Sequence, residues 1–254
     1  MSRDLSIQKV GKHGCNTTSL NIEKSFERSV FHRDMFAHWL RYQHIAKIAK
    51  PNEEYVLDVG CGEGNLAMAL YANRLCPKLY VGLELRKTMV EKNKQRKFNF
   101  PAEFYETNIC DGIPSDRKFS IITCTEVLEH IPPEKVIPVL QSMKAVMADN
   151  SKLIISTPCF DGKTKADNHV KEYTFDEMYH TLNAEFCGGE FSSIDAYGTF
   201  ISLKDFERKA TSAQLSVYNE LKPYYNVNVL SILLAPLQPE VSRNCLWVIT
   251  KGVK

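Results

Sequence analysis

Tyr55-Val-Leu-Asp-Val59 runs straight into Gly60-x-Gly62-x-Gly64, and the chain resumes with Asn65-Leu-Ala-Met-Ala-Leu70. A short aliphatic and β-branched run bounded by glycine reads as a buried parallel strand. The residues after Gly64 are in the main helix formers, so the glycines mark a strand-to-helix turn. Such a turn lets a ligand approach bare backbone, and the unpaired N–H groups of the helix N-terminus face it. Glycine spacing alone is weak evidence of a ligand. Two acidic residues strengthen it. Asp58 lies just before the turn, where a carboxylate meets a ligand ammonium or orders the loop. Glu84 closes the next apolar run, Leu79-Tyr-Val-Gly-Leu83, about 20 residues on, where an acidic side chain binds ribose hydroxyls.

Asp58-Val-Gly-Cys-Gly-Glu-Gly64, taken with Glu84, resembles the cofactor site of class I S-adenosylmethionine-dependent methyltransferases. A dinucleotide oxidoreductase spaces its glycines G-x-G-x-x-G. The shorter last gap here suits a nucleoside carrying an amino acid rather than a pyrophosphate. The resemblance spans the chain from about Pro51 to its end. It implies an α/β fold: a Rossmann-like, doubly wound seven-stranded sheet, mostly parallel with an antiparallel last strand, plus an N-terminal helical segment. It also implies a set of cofactor contacts. Asp58, Gly60, Cys61, Gly62 and Gly64 belong to the first loop, and Glu84 and Leu85 follow the second strand. Asn108 and Ile109 would hold the adenine, with Thr125 and Glu126 beyond the fourth strand. Asn108 stands where the family often has an aspartate on the adenine amine, and Asp111 could substitute for it. An alternative reading is a subunit that binds the cofactor without methylating.

A chain of 254 residues is long enough for one α/β domain with additions. No apolar run approaches the roughly 20 residues that span a bilayer, and residues 1–20 are too polar for a signal peptide. A cytoplasmic protein with no membrane partner is therefore expected. The eight cysteines are scattered singly, with no C-x-x-C pair, which suits reduced thiols better than a disulfide framework or a zinc site. The net charge of +2 demands neither nucleic acid nor membrane. It is unevenly spread, however: residues 1–50 carry nine Lys/Arg against four Asp/Glu, leaving the remainder net negative. A solvated helical face explains that excess more simply than a nucleic-acid grip. A grip would use Arg28, Arg33 and Arg41.

Apolar residues recur at steps of three and four from Ser25 to Lys50, including Phe26, Val30, Met35, Trp39, Tyr42 and Ile45, and Pro51 ends the helix they predict. Two units follow: a helical segment, residues 1–50, which by the resemblance covers the cofactor and acceptor site, and a methyltransferase domain, residues 51–254. The body alternates strand and helix: strands near Leu79–Leu83, Glu103–Glu106, Phe119–Thr123 and Lys152–Ser156, with helices at Arg86–Lys97 and from Pro133 through Met147. Thr174 and Glu177 form a capping box for a further helix. An antiparallel pair, Phe191–Tyr197 with Cys245–Thr250, encloses an insertion at about 199–243, with one helix from about Lys204 to Leu221.

Methyl transfer is an in-line displacement, so the protein positions the acceptor and in some cases removes its proton. The D/N-P-P-Y/F of amino-directed DNA methyltransferases is absent at Thr125-Glu-Val-Leu128, and the one Pro-Cys, Pro158-Cys159, follows the wrong strand for a cytosine nucleophile. What stands there is Glu126-x-x-Glu129-His130. On a helix these positions share a face, and His169 can reach them from the loop after strand five. Glu126, Glu129, His130 and His169 would suit Mn²⁺ or Mg²⁺. The quartet is similar to that of small-RNA 3′-terminal 2′-O-methyltransferases, in which a metal holds the terminal hydroxyls. Glu126-Val-Leu-Glu-His-Ile131 equally resembles ubiquinone-pathway O-methyltransferases, where Glu126 and His130 line a metal-free pocket and His130 can serve as the base. A third reading is a helix whose His130 is satisfied by a neighbouring carboxylate. The acceptor is accordingly a small molecule or a nucleic-acid hydroxyl. His13, His32, His38, His44 and His180 are read as surface or packing residues.

Overall fold

The computed structural model describes residues 33–50, 52, 54–163 and 165–252. The helix expected from Ser25 is described as α1 (Arg33–Ala49), and its expected first turns lie outside the described residues, as do His13, His32, Arg28 and Pro51. After α1 come β1 (Tyr55–Val59), α2 (Asn65–Ala72), β2 (Leu79–Glu84), α3 (Lys87–Lys94) and β3 (Ala102–Glu106). Then follow β4 (Phe119–Thr125), α4 (Pro133–Ala145), β5 (Met147–Pro158), α5 (Phe175–Phe186) and β6 (Phe191–Phe200). The chain continues through α6 (Leu203–Lys209), α7 (Ser212–Leu221) and α8 (Val227–Leu233) to β7 (Asn244–Lys251).

The seven strands form one sheet in the order β3-β2-β1-β4-β5-β7-β6. Strands β1 to β5 pair in parallel, whereas β7 runs antiparallel to both β5 and β6. Side chains alternate across a strand, so consecutive residues sort into two layers. Leu57, Val81, Ile122, Leu153 and Trp247 face the core under α4 and α5. Val56, Tyr80, Ile121, Ile154 and Leu246 face the opposite core, which α2 and the end of α1 cover. Each central strand is therefore buried on both sides, which is why its sequence reads as a continuous apolar run.

Several boundaries differ from the sequence expectation. Lys204–Leu221 is two helices, because Thr211 caps a fresh one: its hydroxyl accepts from Gln214 N while the Gln214 side chain returns to Thr211 N. A further helix in the insertion, Val227–Leu233, is started by Asn226, whose side chain accepts from two backbone N–H groups. Helix α3 stops at Lys94, and β5 extends at both ends of Lys152–Ser156. Strand β6 continues to Phe200, so the insertion begins two residues later than expected. The Thr174–Glu177 capping box is present as read.

Candidate cofactor and metal site

The loop after β1 is pinned from below. Gly60 N and Cys61 N both donate to the Leu83 carbonyl, at 2.8 and 2.9 Å. Gly60 and Gly64 each sit at φ +72°, and a Cβ on Gly60 would overlap Val127 Cγ2. That backbone is open to glycine and strained for other residues. Asn93 of α3 ties the loop from the side, donating to the Gly62 carbonyl at 2.8 Å.

The two acidic residues separate in role. Asp58 is buried and accepts from Tyr80 Oη (2.5 Å) and Thr123 Oγ1 (2.7 Å), so it orders the ground beneath the loop and does not line the cleft. Burial outweighs those two hydrogen bonds and raises its pKa to about 6. Glu84 does line the cleft. One oxygen accepts from Gly62 N at 2.9 Å, and the other holds Arg86 N and Nε, at 3.0 and 2.8 Å.

Above the C-terminal ends of β1 to β4 opens a cleft of about 490 Å³, within the range of small-molecule sites and at the place where open α/β sheets bind ligands. It is lined by Gly60, Cys61 and Gly62 of the glycine loop, by Glu84 and Leu85 after β2, and by Asn108 and Ile109 after β3. Asn108 Oδ1 already accepts from Cys110 N at 3.1 Å. Asp111 is exposed and outside the cleft. Thr125 and Glu126 also line it, joined by residues to which the sequence reading gave no contact in the site: His38 and Tyr42 of α1, Arg86, Met89 and Asn168. His38, read from the sequence as a surface or packing residue, thus lines the cleft.

The stretch after β4 is not an α-helix, contrary to expectation. Pro132 and Pro133 start α4 only beyond it, and Leu128–His130 form a single 3₁₀ turn. Glu126 stands before that turn with φ +55°, its N–H held by the Ser156 carbonyl at 3.0 Å. Its carboxylate points to a different set of partners. Asn244 Nδ2 donates to both oxygens at 3.0 Å, Ser156 Oγ donates at 2.8 Å, and Arg41 Nη1 stands at 3.3 Å. Burial opposes the charge on Glu126, yet Arg41, with His38, Asn244 and Ser156, holds its pKa below the ordinary carboxylate value. Arg41 is only 2% exposed. The expected solvated arginine is the buried counter-charge of Glu126, and phosphate cannot reach it there.

Glu129, His130 and His169 come together, each offering a ligand atom within 4.8 Å of the others. The Glu129 side chain is 1% exposed, and neither carboxylate oxygen has a hydrogen-bond partner among the described residues. Burial first, and then the neighbouring Glu126 charge, raises its pKa well above the carboxylate range. His130 Nε2 lies 3.9 Å from Glu129 Oε1, and the His130 and His169 rings meet edge to face at 4.8 Å between centroids. Burial lowers the His130 pKa and favours the neutral, ligating imidazole. His130 also lines the cleft, so one ring belongs to both sites.

A methyltransferase-domain family model matches residues 31–216. The chain belongs to that family. This methyltransferase domain is 28% identical, over 125 residues, to a ubiquinone biosynthesis O-methyltransferase of Coxiella burnetii, a match covering 46% of the chain and 49% of the relative. It spans about half the length of the curated relatives it matches. Among solved structures, an S-adenosylmethionine-dependent methyltransferase from Archaeoglobus fulgidus superposes with TM-score 0.56 at 16% identity, over 91% of the chain and 98% of its own. The small-RNA methyltransferase HEN1 gives TM-score 0.63 at 14% identity, over 88% of the domain and 26% of its own chain. At such identities the two structures establish the class I methyltransferase fold alone.

Proposed function

We propose that this domain transfers the methyl group of S-adenosylmethionine to a hydroxyl, held by a divalent cation at Glu129, His130 and His169. The observation that carries the reading is the Glu129 carboxylate: buried, without a hydrogen-bond partner among the described residues, and facing two imidazoles at the edge of the cofactor cleft. A buried carboxylate without a partner is costly, and a cation offsets that cost. Two imidazoles and one carboxylate suit Mn²⁺ or another divalent ion that tolerates nitrogen ligands. Glu126, expected as a fourth ligand, is engaged by Arg41, Asn244 and Ser156 and is not part of this cluster.

In this reading Glu84 takes the ribose hydroxyls, Asn108 and Ile109 take the adenine, and the glycine loop takes the amino-acid moiety. Helix α1 closes the acceptor side through His38 and Tyr42, the role proposed for residues 1–50 as a whole. A bound divalent ion would lower the acceptor hydroxyl pKa and fix its orientation. His130, at the junction of the two sites, aligns that oxygen with the methyl group. Two vicinal hydroxyls suit such an ion, so a 3′-terminal ribose, as in the RNA that HEN1's name specifies, is the acceptor we favour. A small hydroxylated molecule, suggested by the ubiquinone-pathway relatives, is the second reading. The seven described cysteines are free. No helix among the described residues is long and apolar enough to cross a membrane.

The test is calorimetric and kinetic. S-adenosylhomocysteine should bind the purified chain, and Glu84→Ala should weaken that binding at least tenfold. Methylation of a short oligoribonucleotide should stop on exhaustive chelation and return with Mn²⁺. Glu129→Gln should abolish the ion dependence and the turnover together, while cofactor affinity stays within about twofold. Turnover that survives chelation excludes the metal-assisted reading and leaves the methyltransferase reading intact.

A further inference from the structure

The segment after β5 is laced onto the 3₁₀ turn. Val170 N and Lys171 N both donate to the Glu129 carbonyl, at 2.7 and 3.2 Å, and Phe160 N donates to the Tyr173 carbonyl at 2.9 Å. Within this frame each imidazole has the same ring atom engaged. His130 Nδ1 lies 3.0 Å from the Asn168 carbonyl oxygen, and His169 Nδ1 lies 2.6 Å from Glu172 Oε1. A carbonyl or carboxylate oxygen only accepts, so both rings carry hydrogen on Nδ1, and in the neutral form of either ring the lone pair is then on Nε2.

The two contacts differ in strength. Glu172 brings a charge, its side chain is 9% exposed, and that of His169 is 15% exposed, so little water competes. The same oxygen also accepts from Ala166 N at 2.9 Å, which fixes the carboxylate itself. A carboxylate behind an imidazole fixes its tautomer and raises the basicity of the opposite nitrogen.

Resting on the metal reading above, we infer that Glu172 is a positioning residue: it holds His169 as the Nδ1–H tautomer and so presents Nε2 to the divalent cation shared with Glu129 and His130. Glu172 itself touches no ion. It stands behind the ligand, and Asn168 does the same for His130 through its backbone.

The competing explanation is that Glu172 merely anchors the loop through Ala166. Glu172→Gln separates the two, because the amide oxygen still accepts from Ala166 but the charge is lost. Mn²⁺ titration of the full chain should show Glu172→Ala binding 10- to 100-fold more weakly than wild type, and Glu172→Gln falling between. S-adenosylhomocysteine affinity should stay within about twofold in both and report that the variants are folded. Side-chain ¹⁵N spectra should give His169 as the Nδ1–H tautomer in wild type and mainly as Nε2–H in Glu172→Ala. Wild-type Mn²⁺ affinity in both variants, or an unchanged tautomer in Glu172→Ala, overturns the inference. Wild-type Mn²⁺ binding in Glu129→Gln and His169→Ala overturns the metal reading itself. Loss in those two with wild-type affinity in the Glu172 variants overturns only the positioning role.

Discussion

Asp58 carries a pH dependence that its neighbours would not suggest. It accepts two hydroxyl hydrogen bonds, yet burial lifts its pKa to about 6, against about 3.9 in an unfolded chain. The folded value is the higher one, so its contribution to stability is complete below about pH 3.9 and is lost as the pH rises through about 6. Asp58→Asn keeps an acceptor and removes the titration. Between pH 5 and pH 8 the wild type should therefore lose about 1.5 kcal/mol more stability than the variant, read from urea midpoints at the two pH values. An equal or larger loss in the variant would show that Asp58 is not the group involved. Residues of this kind were legible in the sequence because their signal is local. A glycine turn, an acid before it and an acid after the next strand lie within one βαβ unit. Glu172 was not legible: a glutamate three residues after a histidine in a polar loop has no periodicity to mark it. Asn244 lies 118 residues from the carboxylate it serves.

At the scale of elements, α1 is fastened to the body by polar contacts that its pattern conceals. Arg41 reaches Glu126, Gln43 accepts from Asn73 at 2.7 Å, and Lys152 Nζ donates to the Ile48 carbonyl at 3.1 Å, satisfying a helix end. An arginine in a basic amphipathic segment reads as solvated, because sequence spacing records the face of a helix and not what the face meets. Arg41→Ala leaves Glu126 charged, in a site built for a guanidinium, and should cost about 3 kcal/mol or more. Replacing both, as Arg41→Met with Glu126→Gln, should recover most of that loss in urea unfolding. A double variant no more stable than Arg41→Ala would assign the cost to lost packing instead of the stranded charge. The 3₁₀ turn was misread for a similar reason. Glu126, Glu129 and His130 have helical spacing, but Pro132-Pro133 starts the helix later and Glu126 takes the left-handed conformation. The spacing still brought Glu129 and His130 together, since one 3₁₀ turn also places adjacent residues close.

For the whole molecule, the alternation of strand and helix pointed to a parallel sheet, the seven-stranded architecture came from the family resemblance, and both cores follow from the strict in-and-out of β1, β2, β4, β5 and β7. The insertion was visible as excess length between two strands, while its division into α6, α7 and α8 depends on caps at Thr211 and Asn226. His130 is the feature with the widest consequence, because its single ring lines the cleft and belongs to the proposed ion-binding cluster. Two ligands that share a movable wall are coupled through it. If occupancy of one site shifts that ring, the free energy of binding at the other changes too, and thermodynamics makes the change mutual. Saturating S-adenosylhomocysteine should therefore alter the Mn²⁺ dissociation constant by some factor, and saturating Mn²⁺ should alter the S-adenosylhomocysteine constant by the same factor. Both ratios should collapse to one in His130→Ala. The sign of that shared factor decides how the proposed site fills: a factor that tightens both makes the ion and the cofactor recruit each other, and one that weakens both makes each exclude the other.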